Sequence, residues 1–285
     1  MMDSCDNLII DAYNMIHRCR FRWGGGMESD ENMILYNFIR VLNSTVSKFN
    51  PKKVYFVLDG KPKERLEKFS SYKKNRVIQE PTEEDIAYSK YFSQQKNSII
   101  GFVKENLPVT VAYHPFMEGD DIVYNIVKYK AKGESCVIVS NDSDFLQVLN
   151  EFSERVSIWN PIKSVFAEKP NYDYVSWKAM VGDRSDNIPG VKGVGKVGAE
   201  KILNAEGMLK SKLSDASFSN QFSLSYDLIK FKDLEGNFKD VLFTCGEYNM
   251  EKISCFFEAA GFPSLSNEKY INKFNKTFSN IRRLM

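Results

Sequence analysis

Histidine is nearly missing from this chain, with only His17 and His114 among 285 residues. A zinc site built on three histidines, or on two and a carboxylate, is therefore nearly excluded. His114, ahead of Pro115 in a strand-like run, reads as structural. Cysteine is scarce too: the five residues are odd in number and form no C-x-x-C. That is neither a disulfide framework nor a zinc-ligand spacing, and it suits a reducing cytoplasm. Long apolar runs are lacking, and the stretch from Leu8 to Ile10 is far too short for a signal peptide or a membrane span. The expectation is a cytoplasmic protein with no membrane partner. Nor does one sign of charge dominate, since the net charge is +2. Chemistry must come from carboxylates, hydroxyls, thiols or basic groups.

What is present suits a globular protein. Apolar residues make up 43% and charged residues 27%, and the length allows one large domain or two closely packed ones. Asn7 to Ile10, Val54 to Leu58, Val109 to Tyr113, Cys136 to Val139 and Arg155 to Trp159 read as buried strands. Helical periodicity occupies 33–48, 83–106, 119–131 and 143–149, the second starting at a Thr82 N-cap followed by three acids. This alternation predicts an α/β fold with a parallel sheet flanked by helices. Ligands in such folds bind beyond the carboxyl ends of the strands. From about 167 onward the pattern turns helical, with glycines from Gly190 to Gly198 and a Ser-rich stretch near 211–225. The last seventy or so residues read as helical.

The acids sit at that carboxyl edge. Asp11 and Asp59 follow strands, Glu118, Asp120 and Asp121 open a helix, and Asp142 and Asp144 share a strand-end loop. Glu118/Asp121 and Asp183/Asp186 have the i, i+3 spacing of one helix face. Any single acid is as easily explained by the preference of acids for loops and helix starts. Several segments ending in acids at one edge are harder to explain so. Two carboxylates ~5 Å apart repel by roughly 3 kcal/mol at an effective dielectric of 20, so a cluster persists only with protonation or bound cations. Oxygen ligands without histidine select Mg²⁺ or Mn²⁺, and a pair of such ions suits phosphodiester hydrolysis.

Between Lys52 and Arg76 nine Lys/Arg face three acids, a local +6, with Phe69 and Tyr72 interleaved. This is either a solvated basic face or a lane for a phosphate backbone with aromatics for stacking. The glycine segment precedes a helix-forming run from Ala199 to Leu203. It reads as a helix–hairpin–helix loop, which contacts duplex backbone without reading sequence.

Asp11-x-x-Asn14, Val57-Leu58-Asp59-Gly60, Tyr72-Lys73-Lys74-Asn75-Arg76, Glu118-Gly119-Asp120-Asp121, Ser140-Asn141-Asp142-Ser143-Asp144 and Gly182-Asp183-x-x-Asp186 through Gly195 occur in one order over residues 7–205. In these motifs the chain resembles the flap endonuclease/5′–3′ exonuclease family, including bacteriophage members of flap endonuclease and ribonuclease H type and the 5′-nuclease domain of bacterial DNA polymerase I. The resemblance implies a PIN-like core over 1–167, with a helical arch at about 60–107. A C-terminal helical region over 168–285 would carry a helix-three-turn-helix (helix–hairpin–helix) module at about 172–204. It implies two Mg²⁺ or Mn²⁺ ions. Asp11, Asp59, Glu118, Asp120 and Asp121 would serve one, and Asp142, Asp144, Asp183 and Asp186 the other. Lys73 and Arg76 match catalytic residues at the arch base. Tyr72 matches a nearby stacking residue, Arg18 a basic residue beyond the first strand and Lys178 another near the second metal site, all three counted with the DNA-binding residues. Gly190, Gly193, Gly195 and Lys196 match the duplex-binding loop, which in the family often holds K⁺. The family's lysine after this loop is displaced here, leaving Val197 in its place.

The implied activity is structure-specific cleavage of DNA at 5′ flaps, nicks or RNA–DNA primers in replication and repair. The implied agent is a monomer, with a single-strand-binding protein or clamp as candidate partners. Two rivals stay open on the residues alone. A PIN-type endoribonuclease would usually lack the glycine loop. A non-catalytic, structure-specific DNA-binding module would gain nothing from acids beside its ligand.

Overall fold

The computed structural model describes residues 4–20, 32–76 and 80–282, so residues 77–79 of the expected arch lie outside the described part. Its centre is a seven-stranded sheet. The strands are β1 (Asn7–Asp11), β2 (Lys53–Val57), β3 (Thr110–Tyr113), β4 (Cys136–Val139), β5 (Val156–Asn160), β6 (Val165–Phe166) and β7 (Leu242–Cys245). They lie in the order β6-β5-β4-β1-β2-β3-β7. The five inner strands are parallel, and both edge strands run antiparallel to their neighbours. β1 lies between β2 and β4, with Ile10 opposite Phe56 and Val139. Its side chains alternate by the period of a strand. Leu8 and Ile10 enter the core on one face, and Ile9 enters the core on the other.

Helices cover both faces. Those before β4 are α1 (Ala12–Arg18), α2 (Met33–Phe49), α3 (Lys63–Lys68), α4 (Glu83–Asn106) and α5 (Gly119–Asn125), the last continuing into a π turn at Ile126–Lys130. The expected Thr82 cap is a reciprocal box: Thr82 Oγ1 accepts from the Asp85 N–H at 3.1 Å, and the Asp85 carboxylate accepts from the Thr82 N–H at 2.9 Å. After β4 come α6 (Leu146–Phe152), α7 (Tyr174–Val181), α8 (Lys196–Asn204), α9 (Met208–Leu213) and α10 (Ala216–Ile229). Beyond β7 lie α11 (Met250–Ala259), α12 (Pro263–Ser266) and α13 (Glu268–Phe278).

Three features depart from the sequence expectation. The tail is not all helical, because β7 pairs with the free edge of β3. Ile253, Phe257, Phe274 and Phe278 then fill the same core as Leu8 and Ile10, so a boundary at 167/168 is not where the packing divides. The separate cluster lies under α7, α8 and α10, around Val175, Ala199 and Phe222. The helix after the glycines begins at Lys196, not Ala199, with Gly195 as its N-cap residue.

Candidate active site

The chain runs β1, β2, β3 in one direction and then crosses back to place β4 beside β1. That reversal opens a crevice beyond the carboxyl ends of the strands, and the acids gather there. Asp11 closes β1 and caps α1: Oδ1 accepts from the Asn14 N–H at 3.1 Å, and Oδ2 accepts from the Ser140 hydroxyl at 2.8 Å. Asp59, just past β2, accepts from the Gly119 N–H at 2.6 Å. A Cβ on residue 119 would lie 2.9 Å from that same Asp59 oxygen, which accounts for the glycine between Glu118 and Asp120. Asp142 follows β4 and accepts from the Asp144 N–H at 2.9 Å. Asp11, Asp59, Glu118, Asp120, Asp142, Asp144 and Asp186 line one cavity of about 500 Å³, with Arg18, Lys73 and Arg76 on its wall.

Burial, with Asp59 and Asp142 nearby, pushes the Asp11 pKa up to about 7 despite its hydrogen bonds. Asp120 is raised well above the usual carboxylate range by burial and by Asp11, Asp142 and Asp59. Asp59 is raised by burial and by Glu118, against the Gly119 N–H. On the other side, acids meet cations. Lys73 pairs with Glu118 and, at 3.6 Å, with Asp186; Arg76 pairs with Asp186. Lys178, 6% exposed, pairs with Asp144 and, at 2.6 Å, with Asp183. Burial still raises Asp144 to about 6, whereas for Asp183 the bonds from Lys178 and Ser185 outweigh burial and lower it to about 2. Carboxylate oxygens of Asp144, Asp183 and Asp186 lie within 4.8 Å of one another.

Several expected roles change in the structure. Tyr72 is 4% exposed and donates its hydroxyl to Glu118 at 2.9 Å, so it is no open stacking surface. Lys178, expected near the second metal site and counted as DNA-binding, is buried between Asp144 and Asp183. Asp121 turns out of the cavity, and both of its oxygens accept from Arg65. Asp183 and Asp186 share no helix face. They occupy a tight turn closed by the Asp183 N–H to Ile188 O and the Ile188 N–H to Asp183 O. Gly190, at φ 72, is buried, and a Cβ there would lie 2.6 Å from the Gly182 nitrogen, so it shapes the turn and not a contact surface. Gly193, Gly195 and Lys196 are exposed, as is Val197 at 66%. His114 is structural, its Nδ1 accepting from the Phe116 N–H at 3.1 Å. Two residues went unnoticed as site elements. Ser140 lies inside a quoted motif, but Arg65 was one basic residue among nine, with no spacing to single it out.

A mostly parallel sheet flanked by helices is also the fold of solved PIN-like flap endonucleases. The flap endonuclease of bacteriophage T5, solved as a pseudo-enzyme–product complex with DNA and metal ions, superposes with a TM-score of 0.65 at 19% identity, covering 95% of this chain and 98% of that one. The chain belongs to the 5′–3′ exonuclease family: the model of its N-terminal resolvase-like domain matches residues 6–179. A 5′–3′ exonuclease of Aquifex aeolicus is 30% identical over 226 residues, 70% of this chain and 72% of the relative. The thermostable DNA polymerase I of Thermus thermophilus is 28% identical over 221 residues, which is 73% of this chain but 25% of that protein. The chain thus spans about a quarter of the length of the polymerase relatives it matches. Among the described residues no helix is long and apolar enough to cross a membrane.

Proposed function

We propose that this protein hydrolyses phosphodiester bonds near 5′ ends, at flaps, nicks or RNA–DNA primers, with divalent cations held in the carboxylate cavity. One observation carries the reading. Asp11, Asp59, Asp120 and Asp142 converge on one cavity, and among the described residues none of them has an ion-pair partner from the chain itself. Half-buried carboxylates with raised pKa values, Asp11 and Asp120, in a cavity with only oxygen donors fit hard cations, Mg²⁺ or Mn²⁺. Bound there, such ions would activate a water and stabilise the leaving oxygen.

Asp11, Asp59, Asp120 and Glu118 would hold one ion. Asp142, Asp144, Asp183 and Asp186 would hold a second. Lys73 and Arg76, on the wall beside them, meet the scissile phosphate, where a cation counts most as charge develops. Ser140 and the Asn14 N–H fix the Asp11 carboxylate in position before anything binds. The exposed glycines 193 and 195 leave open space around the start of α8, where backbone N–H groups can approach a duplex phosphate. Such a contact positions DNA without reading sequence. This loop also weighs against a small PIN-type endoribonuclease, which usually lacks one. Among the described residues nothing at the loop points to a bound potassium ion.

The test is cleavage of end-labelled flap, nicked and RNA–DNA substrates with Mg²⁺ or EDTA. Incision near the single-strand/duplex junction in Mg²⁺ only is expected. Full cleavage in EDTA, or none on any 5′-ended substrate, would overturn the proposal.

A further inference from the structure

We infer that Asp121 is not a metal ligand but the anchor of Arg65, and that this buried pair positions Glu118 in the cavity. The inference rests on the reading of the cavity as a divalent-cation site. A guanidinium has five N–H donors, and each bond of Arg65 can be assigned. Nε donates to Leu228 O at 2.9 Å. Nη1 donates to Glu118 Oε2 and to Asp121 Oδ2, both at 2.7 Å. Nη2 donates to Asp121 Oδ1 at 2.8 Å and to Lys230 O at 3.2 Å. The Arg65 side chain is 12% exposed and that of Asp121 3%.

Both oxygens of Asp121 are engaged. Oδ1 also accepts from the Lys232 N–H at 2.8 Å, so three donors hold the carboxylate. Neighbours on a helix point in different directions, and here Asp120 faces the cavity while Asp121 does not. Recruiting Asp121 to a cation would break a bidentate pair and leave a buried guanidinium short of partners, a costly exchange.

The same guanidinium reaches Glu118, whose Oε2 also accepts from Tyr72. Glu118 is thereby held by residues on the segment that carries Lys73 and Arg76. Leu228 and Lys230 lie at the end of α10, and the strap beyond is pinned to α5. Asn125 Nδ2 donates to Lys232 O at 2.6 Å, and its Oδ1 accepts from the Leu234 N–H at 2.8 Å. Arg65 is therefore a positioning residue joining α3, α5 and the exit of the helical module.

The experiment measures Mn²⁺ binding to the full chain without DNA, single-turnover flap cleavage against Mg²⁺ concentration, and flap affinity in Ca²⁺. Asp120→Asn should weaken Mn²⁺ binding strongly, and Asp121→Asn should weaken it no more than Arg65→Gln does. Arg65→Gln should lower cleavage by about 10–100-fold, the range for partners that orient a metal ligand. It should also raise the Mg²⁺ needed for half-maximal rate, with flap affinity retained. Loss of Mn²⁺ binding in Asp121→Asn matching that in Asp120→Asn would overturn the inference alone. If neither substitution altered Mn²⁺ binding, the metal reading of the cavity would fall and the inference with it. Parallel loss of flap affinity and cleavage in Arg65→Gln, with an unchanged Mg²⁺ requirement, would reduce Arg65 to a general structural role. Should Arg65→Gln not fold, the isosteric Asp121→Asn comparison still decides.

Discussion

The cavity has two halves built from the same residue type and treated in opposite ways. Asp11, Asp59, Asp120 and Asp142 carry no ion pair among the described residues, whereas Glu118, Asp144, Asp183 and Asp186 are met by Arg65, Lys73, Arg76 and Lys178. The unpaired half has Asp11 raised to about 7; in the paired half Asp183 is lowered to about 2, although burial still raises Asp144 to about 6. Position at a sheet edge gathers the acids. Whether each is neutralised by the chain or left for an external cation depends on which neighbouring segment reaches it.

Removing cations from the paired half should lower the rate strongly. Lys73→Ala or Arg76→Ala should lower single-turnover cleavage by about 10²–10³-fold, typical of losing one preorganised charge at a reacting centre, and weaken flap binding much less. Equal losses would make the basic segment only an electrostatic lane. Lys178→Met turns a paired site into an unpaired one. Without metal at pH 7.5 it should cost about 3–5 kcal/mol, as for a buried pair stripped of one partner. Mn²⁺ should restore more thermal stability to this variant than to the wild type. A metal-free melting temperature unchanged by the substitution would show that the ammonium is not a counter-ion for Asp144 and Asp183.

The pH dependence of the metal-free protein sharpens the contrast. Asp11 and Asp144 have folded-state pKa values above the ordinary 3.8, so the folded chain binds protons more tightly than the unfolded one. Their stabilising contribution is complete below about pH 4 and is lost as pH rises through about 6 and 7. Melting temperature without metal should thus fall from pH 5 to pH 7.5, and Mg²⁺ should flatten the decline. A metal-free stability that rises over this range would contradict the assignment. The smallest effect belongs to the exposed loop. Lys196→Ala should reduce the salt dependence of duplex affinity by about one unit if the displaced lysine still meets a phosphate. An unchanged slope leaves the contact to the backbone.

Much of this was legible in the residues. Apolar runs ending in aspartate marked β1, β2 and β4, because strands buried on both faces need unbroken apolar sequence. β7 was not legible: Leu-Phe-Thr-Cys is four residues long, half exposed and half of an edge pair whose other member lies over a hundred positions away. The cavity acids could be listed from their motifs, but their partners could not. Asp120 and Asp121 are adjacent and chemically identical, and only the arrival of α3 turns one toward Arg65. Lys178 could be placed near the second group of acids only through the resemblance, and its burial between Asp144 and Asp183 was not legible because those acids come from separate loops.

The most direct test of the account reads two quantities from one substitution, Asp120→Asn. The carboxylate is kept ionisable in a cavity that resists its charge, so the amide should abolish Mg²⁺-dependent flap cleavage while raising the metal-free melting temperature at pH 7.5. Opposite movement of activity and stability is the expected result. A variant that cuts flaps at the wild-type rate, or that loses stability along with activity, would contradict the claim that these acids await a divalent cation.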